Sequence, residues 1–90
     1  MSTNAKPVLT RPRVARLFKL CQSPGAAGRT AARVRALAMR TGSESLTWLS
    51  DALHEQRHVA RELLNGNQAA AAKHSEVVGI CIGRAVRVSS

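Results

Sequence analysis

The sequence has almost no aromatic surface: one phenylalanine, Phe18, one tryptophan, Trp48, and no tyrosine. Binders of single-stranded nucleic acid stack unpaired bases on exposed rings, and this chain has little to offer for that contact. The apolar fraction is 44% and leans on alanine, so the core must be thin and is expected to be helical. Cysteine is equally scarce. Cys21 and Cys81 are too few for a disulfide framework and show no CxxC spacing, so they read as small buried apolar residues. That pattern fits a reducing compartment, cytoplasmic or host intracellular. No apolar run reaches the length of a membrane span. The first residues lack an apolar h-region, which argues against a secretory signal or an anchor, although their Arg-rich, acid-free character is shared with organellar transit peptides. No Ser-His-Asp set, Cys-His nucleophile pair or phosphate loop is legible, so the chain reads as a non-enzyme that needs no cofactor.

The most telling absence is of acid. Residues 1–43 carry nine basic side chains and neither Asp nor Glu, whereas residues 44–90 carry five of each sign. The whole formal charge of +9 therefore lies in the N-terminal half. A solvated surface usually mixes signs, and a long one-signed stretch is the footprint of a polyanionic partner. Nucleic acid is the first expectation, and an acidic protein surface the second.

Hydrophobic spacing predicts an all-α chain, a small bundle of three to four helices in a single domain, 1–90, whose first residues, 1–9, form a flexible arm. Thr10 offers a cap and Pro12 a first-turn proline for a helix over 11–22, on which Val14, Leu17, Phe18 and Cys21 share a face. The SPGAAG stretch at 23–28 reads as a turn. A second helix is expected over 29–41, stopped by Thr41-Gly42. On it Arg29, Arg33 and Arg40 form one stripe, at about 100° per residue. The third and strongest helix, 44–64, is capped at Ser43 or Ser45 and ends at Asn65-Gly66-Asn67. Its apolar stripe includes Leu46, Leu49, Leu53, Ala60, Leu63 and Leu64. The last segment is ambiguous, because VVGICI at 77–82 is rich in β-branched residues. Its apolar positions nonetheless keep helical spacing, which favours a helix over 68–86. Gly79 and Gly83 would share a face there and admit a close neighbour. A core this small is marginal alone, so a homodimer is expected.

One motif needs weighing. HEQRH at 54–58 has the spacing with which zinc peptidases set two imidazoles on one helical face beside a general base. On the third helix both histidines point away from the apolar stripe, and a catalytic zinc needs a further protein ligand and a sheltered cavity. Glu62, His74 and Glu76 are poorly spaced for that role, and Arg61 stands where the extended zinc-peptidase pattern has glycine. The motif therefore reads as part of a donor stripe, His54, Arg57, His58 and Arg61, with no metal bound. Asp51, Glu55 and Glu62 flank the stripe, and surface ion pairing among these residues is the alternative use of it.

A second local pattern concerns Ala38, Gly42 and Thr47, whose spacing resembles that of bacterial helix-turn-helix repressors over about twenty residues. The resemblance implies a recognition helix beginning near residue 44. Ser43, Glu44 and Asp51 depart from that pattern, and a plain helical hairpin gives the same spacing. The residues together point to a small basic protein, of a kind used by viruses, phages or plasmids, that holds duplex phosphates through Arg13, Arg16, Arg29, Arg33, Arg40, Arg57 and Arg61. The alternative is an interaction or inhibitor protein whose basic ridge docks on an acidic protein surface.

Overall fold

The computed structural model describes residues 8–89, which form four helices and, among these residues, no strand: α1 (Arg11–Lys19), α2 (Pro24–Thr41), α3 (Glu44–Leu64) and α4 (Gln68–Ser89). Each begins where a side chain can take up free amide donors. The Thr10 hydroxyl accepts from the Arg13 amide, Ser23 from Ala26, Ser43 from Leu46 and Asn67 from Ala70. Such caps are worth about 1 kcal/mol each. Two helix ends use glycine in the left-handed region, Gly42 after α2 (φ 68°) and Gly66 after α3 (φ 74°), where a Cβ would be strained.

Helix α3 is the centre of the molecule. Helix α2 runs antiparallel to it: the same groove borders Gly28 and Arg57 at one end of the seam, and Ala38 and Thr47 border a second groove at the other. Helix α4 runs antiparallel on α3's other side, with Glu55 against His74 near the turn and Trp48 under Arg84 far from it. The buried positions at these seams are mostly small, Ala27, Ala31 and Ala38 on α2, Ala52 and Ala60 on α3, and Ala71 and Ala85 on α4. Small contact residues let helix axes approach toward the short end of the usual range of about 8–10 Å. The larger core members are Val14, Leu49, Leu53 and Cys21, with Phe18 and Ile82 linking this cluster to a second one of Val59, Ala71 and Val78. Both thiols are buried and free.

Helix α1 and the turn after it cover one face of the α2–α3–α4 layer. The Gln56 side-chain amide donates to the Cys21 carbonyl at 3.3 Å, and the Leu9 amide donates to the Ser89 hydroxyl at 2.7 Å. Residues 8 and 9 are thereby held, Val8 through its carbonyl, which accepts from Arg13. The rest of the expected arm, residues 1–7, lies outside the described residues.

Several boundaries differ from the sequence reading. SPGAAG is no turn: Ser23 caps a helix that starts at Pro24, so α2 is five residues longer than expected, and the turn shrinks to the few residues around Cys21. Proline fits the first helical position because its missing N–H has no intrahelical partner there. Helix α1 stops at Lys19, not 22, and α4 runs on to Ser89, past 86. Residues 77–88 are helix, so spacing outweighed the β-branched composition. The glycine pair receives no neighbouring helix: Gly79 faces open space and Gly83 meets the Arg11 guanidinium. Leu63 and Leu64, expected in the α3 stripe, are 57% and 77% exposed and belong to neither core cluster. The α2–α3 seam continues down to Gly28 and Arg57, which is a helical hairpin and not the crossed pair of a helix-turn-helix.

Candidate nucleic-acid interface

The arginines of α2 divide into two sets. Arg29, Arg33 and Arg40 occupy its exposed outer side, as the stripe requires. Arg35 points elsewhere, into the seam with α3. Among the described residues, none of Arg13, Arg16, Arg29, Arg33, Arg40, Arg57 and Arg61 lies within salt-bridge distance of a carboxylate. No flanking acid forms a salt bridge with Arg57 or Arg61 of the α3 stripe: Glu55 turns to α4, where its Oε2 stands 3.3 Å from Nδ1 of His74. Neither α1 nor α2 has an acid in its first turn, so the positive ends of both helix dipoles are uncompensated.

Beside that outer stripe, the α2–α3 seam opens into a groove of about 280 Å³. Gly28, Ala31 and Ala32 give it a low floor, and Arg35, Arg57, His54, Ser50 and Asp51 form its walls. It continues past Arg35 toward Met39 and Thr47. The Arg57 side chain packs closely over Gly28. A Cβ at residue 28 would stand 3.3 Å from Arg57 Cδ, slightly tighter than ordinary contact, and 3.5 Å from Nε, which is ordinary contact. The half-buried Arg57 side chain therefore lies over α2 at Gly28 and lines the groove. Asp51 is the one acid among the lining residues, against Arg35 and Arg57.

All three histidines of the chain meet at the next turn. The His54 and His58 rings are edge to face with centroids 5.1 Å apart, and His74 stacks on His58 at 5.0 Å with planes 20° apart. Partial burial lowers the His58 pKa from its ordinary value; Glu55 pulls it up, and His54, His74 and Arg61 push it down. Nearby, burial raises the Cys81 thiol, with Asp51 and Glu55 adding to the effect and Arg84 opposing it. Among the described residues no three His, Cys, Asp or Glu side chains are grouped to hold a metal ion.

The structure gathers Arg57 and Arg61 with His54 and His58 on one side of α3, but it does not bring Arg13 and Arg16 there. Gln56, which meets the α1–α2 turn, is two residues from both His54 and His58 and so lies about 200° round α3 from each. The α1 cations therefore flank a different face. Arg35 and His74 are the members of this surface that the sequence reading missed. Arg35 falls off the Arg29 stripe when α2 is treated alone, and His74 arrives only when α4 folds back. A signal for it did exist: His58 and His74 stand eight residues before and eight after Gly66, and Trp48 and Arg84 eighteen on either side, so reflection about the turn pairs them.

Trp48 carries the Arg84 guanidinium 4.8 Å from its ring centroid, and Phe18 is packed between the two core clusters, so neither ring is a free stacking platform. No described helix is long and apolar enough to cross a membrane. Comparison with known proteins gave no match: no family model, no curated protein and no solved structure matches the chain.

Proposed function

We propose that the chain is a small nucleic-acid-binding protein that holds the phosphates of a duplex, in the service of a viral, phage or plasmid element. The observation that carries this reading is the exposed outer side of α2, where Arg29, Arg33 and Arg40 recur over three turns with no carboxylate partner. Unpaired guanidiniums fixed on a rigid helix suit repeated contact with a regular polyanion, because each neutralised phosphate releases bound counterions. Arg57 and Arg61 extend the positive surface across the seam onto α3, and Arg13 and Arg16 supply contacts on a second face. The scarcity of free aromatic surface favours a duplex over a single strand. The exposed Leu63, Leu64, Val77 and Ile80 support association with a second copy, which light scattering at several concentrations would register as a doubled mass.

The deciding experiment is a gel shift against double-stranded RNA, double-stranded DNA and single-stranded RNA at two salt concentrations. Retardation of a duplex that weakens with salt is the expected result. Absence of binding to all three at low salt would replace this reading with that of a protein docking on an acidic protein surface, and a pull-down would follow.

A further inference from the structure

We propose that His54, His58 and His74 form a proton-accepting phosphate site, at which a duplex backbone lying against Arg57 and Arg61 draws protons onto the imidazoles. The inference deepens the duplex-binding reading and rests on it. It starts from a clustering without an internal purpose: three imidazoles from two helices, with neighbouring centroids 5.1 and 5.0 Å apart, at a surface and not in a core.

The charged groups around the cluster define its behaviour. On α3, Arg61 and Glu55 act on His58; on α4, His74 stacks on it and is held by Glu55. From the α2 side, Arg35 faces the groove that His54 shares with Arg57 and Asp51. In the free protein, a second or third proton would place like charges about 5 Å apart beside two or three guanidiniums, with Glu55 at His58 and His74, Asp51 in the groove by His54 and Glu62 one turn past His58 as the acids of this face. A phosphodiester reverses that balance, since its negative charge stabilises each added proton and each added proton strengthens its hold. Binding and protonation are then linked: affinity rises as pH falls, by up to about tenfold per pH unit for each proton taken up.

The composition makes this measurable. The chain has three histidines, all in this cluster, and histidine is the side chain whose ordinary pKa falls between about pH 5.5 and 7. The pH dependence of binding in that window therefore reports on this site.

Anisotropy titrations of double-stranded RNA and double-stranded DNA at about pH 7.0, 6.2 and 5.5 and fixed ionic strength test it. They are paired with calorimetry in two buffers of different ionisation enthalpy, which counts protons taken up. The expected result is binding roughly tenfold tighter at the lowest pH, with about one proton absorbed per protein, both lost in the triple variant His54→Asn, His58→Asn, His74→Asn. Circular dichroism verifies that the variant folds. Should it not, NMR titration of the wild-type imidazoles is the second measurement, and their pKa values should rise when duplex is bound. Duplex binding that is independent of pH, with no proton uptake and no shift of the imidazole titrations, would overturn the histidine site while leaving the duplex reading intact. Failure to bind either duplex at any pH would overturn both.

Discussion

His58 and His74 lie ring on ring across the α3–α4 seam, 5.0 Å between centroids and 20° between planes, although sixteen residues separate them in sequence. The stack ties the ionisation of the surface to the packing of the hairpin. Burial, then the neighbouring His54, His74 and Arg61, make the folded chain hold the His58 proton less firmly than the unfolded chain does, against the opposing pull of Glu55. Protonation at this residue therefore favours unfolding. Its contribution to stability is fully present above the ordinary value of 6.5 and is lost as pH falls through the lowered folded value. The midpoint of urea unfolding should fall between about pH 7.5 and 5.5, and His58→Gln should fall less over the same interval.

The outer stripe of α2 has a quantitative signature. Replacing Arg29, Arg33 and Arg40 together with alanine should reduce the slope of log affinity against log salt by about 2–3 units, since each duplex phosphate contact contributes about 0.9. Alanine is the strongest helix former, so helicity measured by circular dichroism should not fall.

Gly28 offers a separation of stability from binding. Alanine in a helix interior is favoured over glycine by about 1 kcal/mol, and the atoms a new Cβ would meet belong to the flexible Arg57 side chain. Gly28→Ala should therefore unfold at an equal or higher urea concentration, with the Arg57 stem giving way by a few tenths of an ångström. Duplex binding close to that of the parent, by a protein at least as stable, would be the result.

Leu53 is fully buried at the centre of α3, in a core with few other large side chains. Leu53→Ala should cost about 3 kcal/mol, the sum of lost transfer energy and the void left among alanines that cannot reach across it. For a domain of this size that lowers the thermal midpoint by more than about 10 °C, readable by calorimetry.

Most of the fold was legible because the local signals agreed. Ser43, Gly42 and the Asn65-Gly66-Asn67 turn marked the ends of α2 and α3, and apolar spacing carried α4 through its glycines and β-branched residues. The misreading at 23–28 came from composition. Two glycines and a proline suggest a turn, yet proline at the first helical position is a start signal, and Gly28 lies within the helix where the Arg57 stem packs closely against it. The candidate surface was legible only helix by helix. The Arg29, Arg33 and Arg40 stripe is a property of α2 alone, whereas the groove with Arg35 and the histidine cluster depend on how antiparallel neighbours register. Helical angles on a single helix do not contain that information.

The hydrogen bond from the Leu9 amide to the Ser89 hydroxyl, 2.7 Å long, brings the two ends of the described chain to one place. A dye and a contact quencher attached near residues 9 and 89 would form a pair that stays dark while residues 8 and 9 remain docked on the end of α4. Brightening of that pair on titration with duplex would report undocking of residues 8 and 9, without a label on the basic face itself.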